Sequence, residues 1–197
     1  MGRTDLETRL TRALSASGGA SSDFDLNPGT VLAPGRVLTP AAVLVGIFPD
    51  SEEVLLTKRS ARLKHHPGQV AFPGGKVDPG DLTPDAAALR EAREEVGLPD
   101  GAARILGQLP PHETVTGYTV LPVLALLETH FDPVPEAGEV SEVFRVPLAH
   151  VTDPSRYSVQ SRHWQGRERF YFTVPYGPYY IWGATARILR GLADRLT

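Results

Sequence analysis

The segment GGKVDPGDLTPDAAALREAREEVGL (74–98) decides how this chain is read. Thr83-Pro84-Asp85 is a helix start. It offers a hydroxyl to accept from free N–H groups, a proline whose ring presets φ in the first turn, and an acid at the positive end of the helix dipole. Gly97 is the stop, because helices commonly end on a left-handed residue that glycine adopts without strain. The spacing predicts a helix over 84–96. At roughly 100° per residue, with Glu91 at the origin, Glu94 falls near about 300° and Glu95 near about 40°, so three carboxylates share one face. Leu89, Ala92 and Val96, at roughly 100–160°, form the buried stripe. The carboxylates lie beside that stripe, on a face the wheel turns toward solvent.

Like charges one turn apart on a helix repel by about 0.2–0.5 kcal/mol per pair, and a cation relieves them. Hard carboxylate oxygens suit Mg²⁺ or Mn²⁺, which keep coordination positions open for water and phosphate oxygens. Lys76 and the Gly74-Gly75 backbone stand just before the helix, where a diphosphate has room to approach. Taken alone, REAREE reads equally as a solvated face, with Arg90 and Glu94 as a surface pair four residues apart. The glycine pair, the cap, the three acids and the glycine stop in one segment favour the metal reading.

Outward from this segment, AAVLVGIF (41–48) and EVLLTKR (53–59) read as strands of a hairpin turning around Pro49-Asp50, and QVAFP (69–73) as a short strand ending at Gly74-Gly75. Strand-like runs follow at 103–109 and 118–128, within 133–148, and at 169–174 and 179–182. Leu6, Leu10 and Leu14 mark an amphipathic helix over 4–16. Ile188, Leu189, Leu192 and Leu196 mark another over 184–196. Residues 17–39 are rich in Gly, Ser and Pro and read as a loop. The expected architecture is one α/β domain with a mixed sheet and helices on both faces, residues 36–197, preceded by an N-terminal helix and loop, 1–35.

The 197 residues carry 41% hydrophobic and 22% charged side chains, which suits a globular core, and Gly 19 with Pro 18 calls for many turns. Cysteine is absent, so disulfides, thiol nucleophiles and thiolate metal sites are excluded, and a reducing, cytoplasmic setting is expected. The net charge of −3 lacks a nucleic-acid footprint, the apolar runs are too short to span a bilayer, and the N-terminus has no apolar signal region. The expected partner is therefore a small molecule, with no nucleic acid and no membrane, bound by a monomer or homodimer.

The segment 74–98 resembles the Nudix box: Gly, five residues, Glu, seven residues, Arg-Glu, an apolar residue, any residue, Glu-Glu, any residue, Gly, apolar. Gly75, Arg90, Glu91, Ala92, Glu94, Glu95, Gly97 and Leu98 match it. Asp81 stands where the pattern has Glu, and eight residues rather than seven separate it from Arg90. The resemblance implies an α/β/α sandwich that uses a divalent metal, Mg²⁺ or Mn²⁺, to hydrolyse nucleoside diphosphates linked to another group. It also implies site roles. Glu91 and Glu95 would ligate the metal, Glu94 would be a further ligand or the base, and Arg90 would pair with a box carboxylate and orient it. Gly75 would offer its backbone oxygen. Glu113, Glu139 and Glu142 are reserve candidates for the base.

Directly upstream, LLTKRSARLKHHPGQVAFPGG (55–75) holds Lys58, Arg59, Arg62 and Lys64 with no acid between Thr57 and His66. The stretch reads either as a basic surface loop or as a polyanion clamp feeding the acidic helix. It resembles the second signature of the coenzyme A pyrophosphatase branch of the Nudix family, with Leu55, Leu56, Thr57, Arg59, Ser60, Gly68, Phe72, Pro73, Gly74 and Gly75 in place. Lys64 stands where that signature has Arg. HETVTGYTVLPV (112–123) and YYIWGATARIL (179–189) look like the same branch. The implied reaction cleaves the diphosphate of coenzyme A or a derivative into 3′,5′-ADP and 4′-phosphopantetheine or its acyl form. Arg59, Lys64, Arg62, Lys58, Phe72, Gly74 and Lys76 are the implied substrate contacts. Tyr118, Phe144, Tyr157, Trp164, Tyr176 and Tyr179 are candidate stacking faces for adenine. The alternatives are a Nudix hydrolase acting on ADP-ribose, NADH or a dinucleoside polyphosphate, and a non-catalytic nucleotide-binding regulator.

Overall fold

Residue alternation along the central strands explains the layering. In the computed structural model, which describes residues 3–164 and 166–197 apart from the Trp164 side chain, β2 (Thr39–Phe48) runs parallel to β8 (Tyr118–Leu127) from the Thr39–Tyr118 pair to the Ile47–Leu126 pair. On β2, Ala41, Val45 and Ile47 join one apolar cluster while Ala42, Leu44 and Phe48 join another, on opposite faces of the sheet. On β8, Val120, Leu124 and Leu126 divide from Val123, Ala125 and Leu127 in the same way. Both strands are therefore apolar on both sides, as a strand covered by helices on both faces must be.

The first cluster is closed by α1 (Arg3–Ser15), through Leu6 and Leu10, and by α4 (Gly183–Leu196), through Ile188, Leu189 and Leu192. The second is closed by α2 (Pro84–Val96), through Ala87, Ala88, Ala92 and Val96. This is an α/β/α sandwich. Arg195 ties the two helices of the first layer together by donating to the carbonyls of Ala13, Ala16 and Gly18 at 3.3, 2.6 and 2.7 Å. Those carbonyls lie at or just past the end of α1, where no further helical partner exists.

The sheet is mixed. Its main path runs β1 (Ser21–Ser22), β7 (His112–Glu113), β8, β2, β3 (Glu53–Arg59) and β4 (Val70–Ala71). Three strands branch from it. β5 (Gly74–Lys76) pairs with β2, β6 (Ala103–Gln108) with β8, and β9 (Val140–Pro147) with β3. A short helix, α3 (Leu148–Val151), follows β9. A separate antiparallel hairpin is formed by β10 (Ser158–Trp164) and β11 (Arg167–Thr173).

Several elements differ from the sequence reading. Gly74-Gly75 does not merely end a strand over 69–73 but begins β5, antiparallel to Ala41–Val43. Gly74 has φ +156°, and a Cβ there would fall on the Ala42 carbonyl oxygen and within 2.6 Å of Val43 Cα, so only glycine permits this pairing. The run 179–182 is not a strand. Tyr176 and Tyr179 exchange backbone hydrogen bonds of 2.9 Å across Gly177-Pro178, which makes a tight turn. β10 escaped prediction because Ser158 to His163 are all exposed, so no hydrophobic alternation marks it. β1 and β7 are polar two-residue strands fixed by side chains. The His112 ring is fully buried between Ser21 Oγ at 3.0 Å and Asp23 Oδ1 at 3.1 Å. No helix among the described residues is long and apolar enough to cross a membrane.

Candidate active site

α2 is positioned by its ends and by its small residues. Thr83 Oγ1 accepts from the Ala86 N–H at 3.1 Å. At the other end Gly97 is left-handed (φ 68°, ψ 31°), and the Gly97 and Leu98 N–H groups return to Arg93 and Ala92 carbonyls at 3.0 and 3.3 Å. Ala87, Ala88 and Ala92 let the helix lie close on β2. The face carrying Glu91, Glu94 and Glu95 is thereby set over β5.

Arg90 organises that face. Its Nε and Nη2 donate to the two oxygens of Asp81 at 3.0 and 2.9 Å. Its Nη1 donates to Glu91 Oε1 at 3.0 Å and Glu94 Oε2 at 3.1 Å, and Nη2 also reaches the Lys76 carbonyl at 3.1 Å. Arg90 thus pairs with three carboxylates, Asp81, Glu91 and Glu94. The planar guanidinium fork suits the bidentate contact with Asp81, which a lysine would not reproduce. Asp81 is the partner that the reading of the sequence did not assign. Its carboxylate also accepts the Asp78 N–H at 2.8 Å, and hydrogen bonds from Arg90 and Asp78 hold its pKa below the ordinary carboxylate value. The signal in the sequence is its place before the helix, at the position where the Nudix box has Glu. Asp81→Ala is expected to lower kcat about tenfold with little change in KM, since removing a positioning partner of this kind typically costs 10–100-fold. Steady-state kinetics of the purified variant check it.

Glu95 corrects the sequence reading. It is not on a solvent face but 4% exposed, beneath β5, with Oε2 accepting the Gly74 N–H at 3.1 Å and Oε1 3.9 Å from Arg59 Nη1. Desolvation pushes its pKa from 4.5 up to about 7, against the lowering effects of the Gly74 N–H and Arg59, while Glu91 and Glu139 add to the rise. Burial also raises the Glu91 pKa, opposed by Arg90 and reinforced by Glu94 and Glu139. Gly75 makes room for Glu91, because a Cβ on Gly75 would overlap its carboxylate. Glu94 is more exposed and is held as an i,i+4 pair with Arg90.

These residues have the donor chemistry for a hard divalent cation. Burial raises the pKa of both Glu91 and Glu95 in spite of Arg90 at 3.0 Å from the one and Arg59 at 3.9 Å from the other, and the glycine backbone leaves space next to them. Among the described residues no three acidic or histidine side chains close on one point as a metal cage. Arg90 accounts for this, since it draws Glu91 and Glu94 to its own Nη1 while Glu95 is turned toward Gly74.

Residues 37–171 match the NUDIX domain. A Klebsiella pneumoniae (strain 342) protein named uncharacterized Nudix hydrolase NudL is 45% identical over 154 residues, which cover 78% of this chain and 80% of that relative. The Escherichia coli (strain K12) protein of the same name is 44% identical with the same coverage. The chain belongs to the Nudix hydrolase family. It is an enzyme of the class that acts on phosphorus-containing acid anhydrides, and its substrate is a nucleoside diphosphate derivative. Among solved structures it is similar to a C. elegans Ap4A hydrolase binary complex, with 26% identity and a TM-score of 0.48 over 55% of this chain and 80% of that one. It is also similar to a MutT NUDIX hydrolase from Burkholderia pseudomallei, with 20% identity and a TM-score of 0.48 over 80% and 98%.

The basic residues upstream of the Nudix helix are spread unevenly. Arg59 reaches Glu95. Lys58 is half-buried on β3, while Arg62, Lys64 and Lys76 are exposed and, among the described residues, none of these four forms an ion pair. The loop bearing Arg62 and Lys64 is closed by the Gly68 N–H on the Arg59 carbonyl at 3.1 Å and by the Arg62 N–H on Ser60 Oγ at 3.3 Å. Phe72 is corrected: at 3% exposure its ring belongs to the core and has no face for a substrate. Of the reserve bases, Glu113 is paired to Arg36 at 2.8 Å and Glu142 accepts the Tyr179 hydroxyl, whereas the charge of Glu139 adds to the upward shifts of Glu91 and Glu95. The adenine candidates are engaged elsewhere. Tyr179 stacks on Phe144 with centroids 3.5 Å apart, Tyr157 donates to the Val151 carbonyl at 2.6 Å, Tyr176 meets His150 edge-on, and Tyr118 packs on the core. The Trp164 side chain lies outside the described residues.

Proposed function

We propose that this Nudix hydrolase cleaves the diphosphate of coenzyme A or its derivatives in the cytoplasm, using Mg²⁺ or Mn²⁺, to give 3′,5′-ADP and 4′-phosphopantetheine or its acyl form. The observation that carries the reading is Arg59. It belongs to the acid-free stretch that resembles the coenzyme A branch, and it lies 3.9 Å from a carboxylate of the Nudix helix. A cation able to meet a diphosphate thus stands next to the acids that would hold the metal.

Glu91 and Glu95, with Glu94 turned from Arg90 and the Gly75 carbonyl, would hold the metal. A bound divalent ion neutralises the diphosphate and acidifies water. The chain's own residues do the rest. Arg90, anchored on Asp81, fixes the carboxylate of Glu91. The Gly74 N–H orients Glu95. Arg59 draws the anionic substrate toward the helix. A carboxylate, Glu94 or Glu139, takes the proton as water adds to phosphorus and the bridging P–O bond breaks. Product analysis after incubation with coenzyme A and Mg²⁺ or Mn²⁺ tests the reading, and absence of 3′,5′-ADP would overturn it. Coenzyme A is expected to exceed 3′-dephospho-coenzyme A in kcat/KM. Arg59→Ala is expected to lower kcat/KM on both by about tenfold or more, the worth of one charge-assisted phosphate contact.

A further inference from the structure

The β10–β11 hairpin stands outside the main sheet and has no part in the chemistry described above. Its register places Arg162 directly opposite Arg169, with Arg167 two residues along β11 on the same face. Like charges directly opposite each other destabilise a strand pair. The hairpin's acid, Glu168, projects to the other face and accepts the Ser161 hydroxyl at 2.6 Å. Among the described residues no carboxylate pairs with Arg162 or Arg167.

Arg162 is nonetheless held in place. Its guanidinium lies over the Trp182 ring, 4.3 Å from the centroid, and Tyr171 braces the same ring at 5.0 Å. Asn27 fixes the outer edge of β11 by bonding both the N–H and the carbonyl of Phe170 at 2.9 Å. A cation immobilised on an aromatic ring keeps its N–H donors available for an anion. Arg167 and Arg169 line a cleft of about 470 Å³, together with Phe24 and Arg36, and Arg36 is already neutralised by Glu113 at 2.8 Å.

This basic face is joined to the Nudix site. A Cβ placed on Gly183, next to Trp182, would lie 3.7 Å from Gln69 Nε2, so the Gln69 side chain borders the start of α4. Gln69 bonds His66 in the basic loop, and both Arg59 and Arg162 act electrostatically on that imidazole. Arg59 and Arg162 are thus both near the His66 ring, which burial and these two cations keep neutral, so Arg59 beside Glu95 and Arg162 on the hairpin are two cations of one neighbourhood. With Arg59 next to the acidic helix, Arg162 is left for a second, separate phosphate.

We propose that the arginine face of the hairpin, with Arg162 positioned by Trp182 and Arg167 beyond it, is a subsite for a phosphomonoester on the nucleotide ribose, distinct from the contacts to the diphosphate. The inference rests on the coenzyme A reading, whose 3′-phosphate it would bind. It makes Arg162 a specificity determinant rather than a catalytic residue.

The first test is the ratio of kcat/KM on coenzyme A to that on 3′-dephospho-coenzyme A, in wild type, Arg162→Ala and Arg167→Ala. The expected result is a fall of about tenfold in that ratio for Arg162→Ala, carried by KM, with a smaller fall for Arg167→Ala. An unchanged ratio in both variants overturns the proposal. The second test needs no turnover: titration of 3′,5′-ADP and 5′-AMP without metal, followed by tryptophan fluorescence. Preferential binding of the bisphosphate, lost in Arg162→Ala, supports the subsite even if coenzyme A proves not to be the substrate. Equal binding of the two nucleotides by the wild type overturns it even if coenzyme A is hydrolysed.

Discussion

Glu91→Gln and Glu95→Gln are each expected to lower kcat at least about 100-fold, by analogy with the roughly 3–4 kcal/mol lost when a preorganised transition-state contact is removed. The two positions reach this result differently. Glu91 has its carboxylate held by Arg90 at 3.0 Å over the Cβ-less surface of Gly75, and glutamine removes the charge while nearly preserving the shape. Glu95 is buried beneath β5, and its glutamine can still accept the Gly74 N–H, so the loss there isolates the charge. Kinetics at saturating Mg²⁺ and Mn²⁺, with circular dichroism to confirm folding, measure both. Near-normal turnover in the two variants would remove the metal role from this face.

The helix was legible in the sequence because all its signals are local. Thr83, Pro84 and Gly97 act within a turn of the positions they cap, and the three acids follow from helical spacing alone. The burial of Glu95 was not legible. It depends on β5 folding over the helix, and β5 exists because Gly74 lets its backbone meet Ala42, a partner more than thirty positions away in the chain. The wheel gave Glu95 the correct angle but could not show what covers it. Asp81 was hidden for a related reason. Its carboxylate meets Arg90 only after the loop over 77–83 turns back, held by the Asp81 N–H on the Asp78 carbonyl at 2.9 Å. The hairpin was half seen, since β11 carries aromatics that mark a strand while the polar β10 is fixed only by backbone pairing. In each case the missed feature is a contact between segments, distant for Glu95 and nearby for Asp81 and the hairpin, and no periodicity encodes it.

The metal-free protein is expected to lose stability as pH rises from about 4.5 to about 7, in so far as Glu95 is concerned. Its carboxyl has pKa 4.5 when unfolded and about 7 when folded, so the folded state binds the proton more tightly. Below 4.5 both states are protonated and nothing is lost. Between the two values the unfolded chain ionises while the folded one resists, and above 7 the buried charge is fully present. At 1.36 kcal/mol per pKa unit the penalty approaches about 3 kcal/mol. Asp81, whose pKa is lowered on folding, acts in the opposite sense and loses its contribution as pH falls, so the wild-type curve alone does not isolate Glu95. The difference between wild type and Glu95→Gln does. In chelator-treated samples the variant is expected to match the wild type near pH 4.5 and to be more stable above pH 7, by about 3 kcal/mol or roughly 6–12 °C in Tm for a chain of this size. Added Mg²⁺ or Mn²⁺ reverses the order, because the ion binds the ionised carboxylate and must displace its proton, which also strengthens metal affinity as pH rises. Denaturant melts across pH 4.5 to 8.5, with and without metal, measure both. A difference that stays flat with pH would mean that Glu95 is not held as a raised, desolvated acid beneath β5.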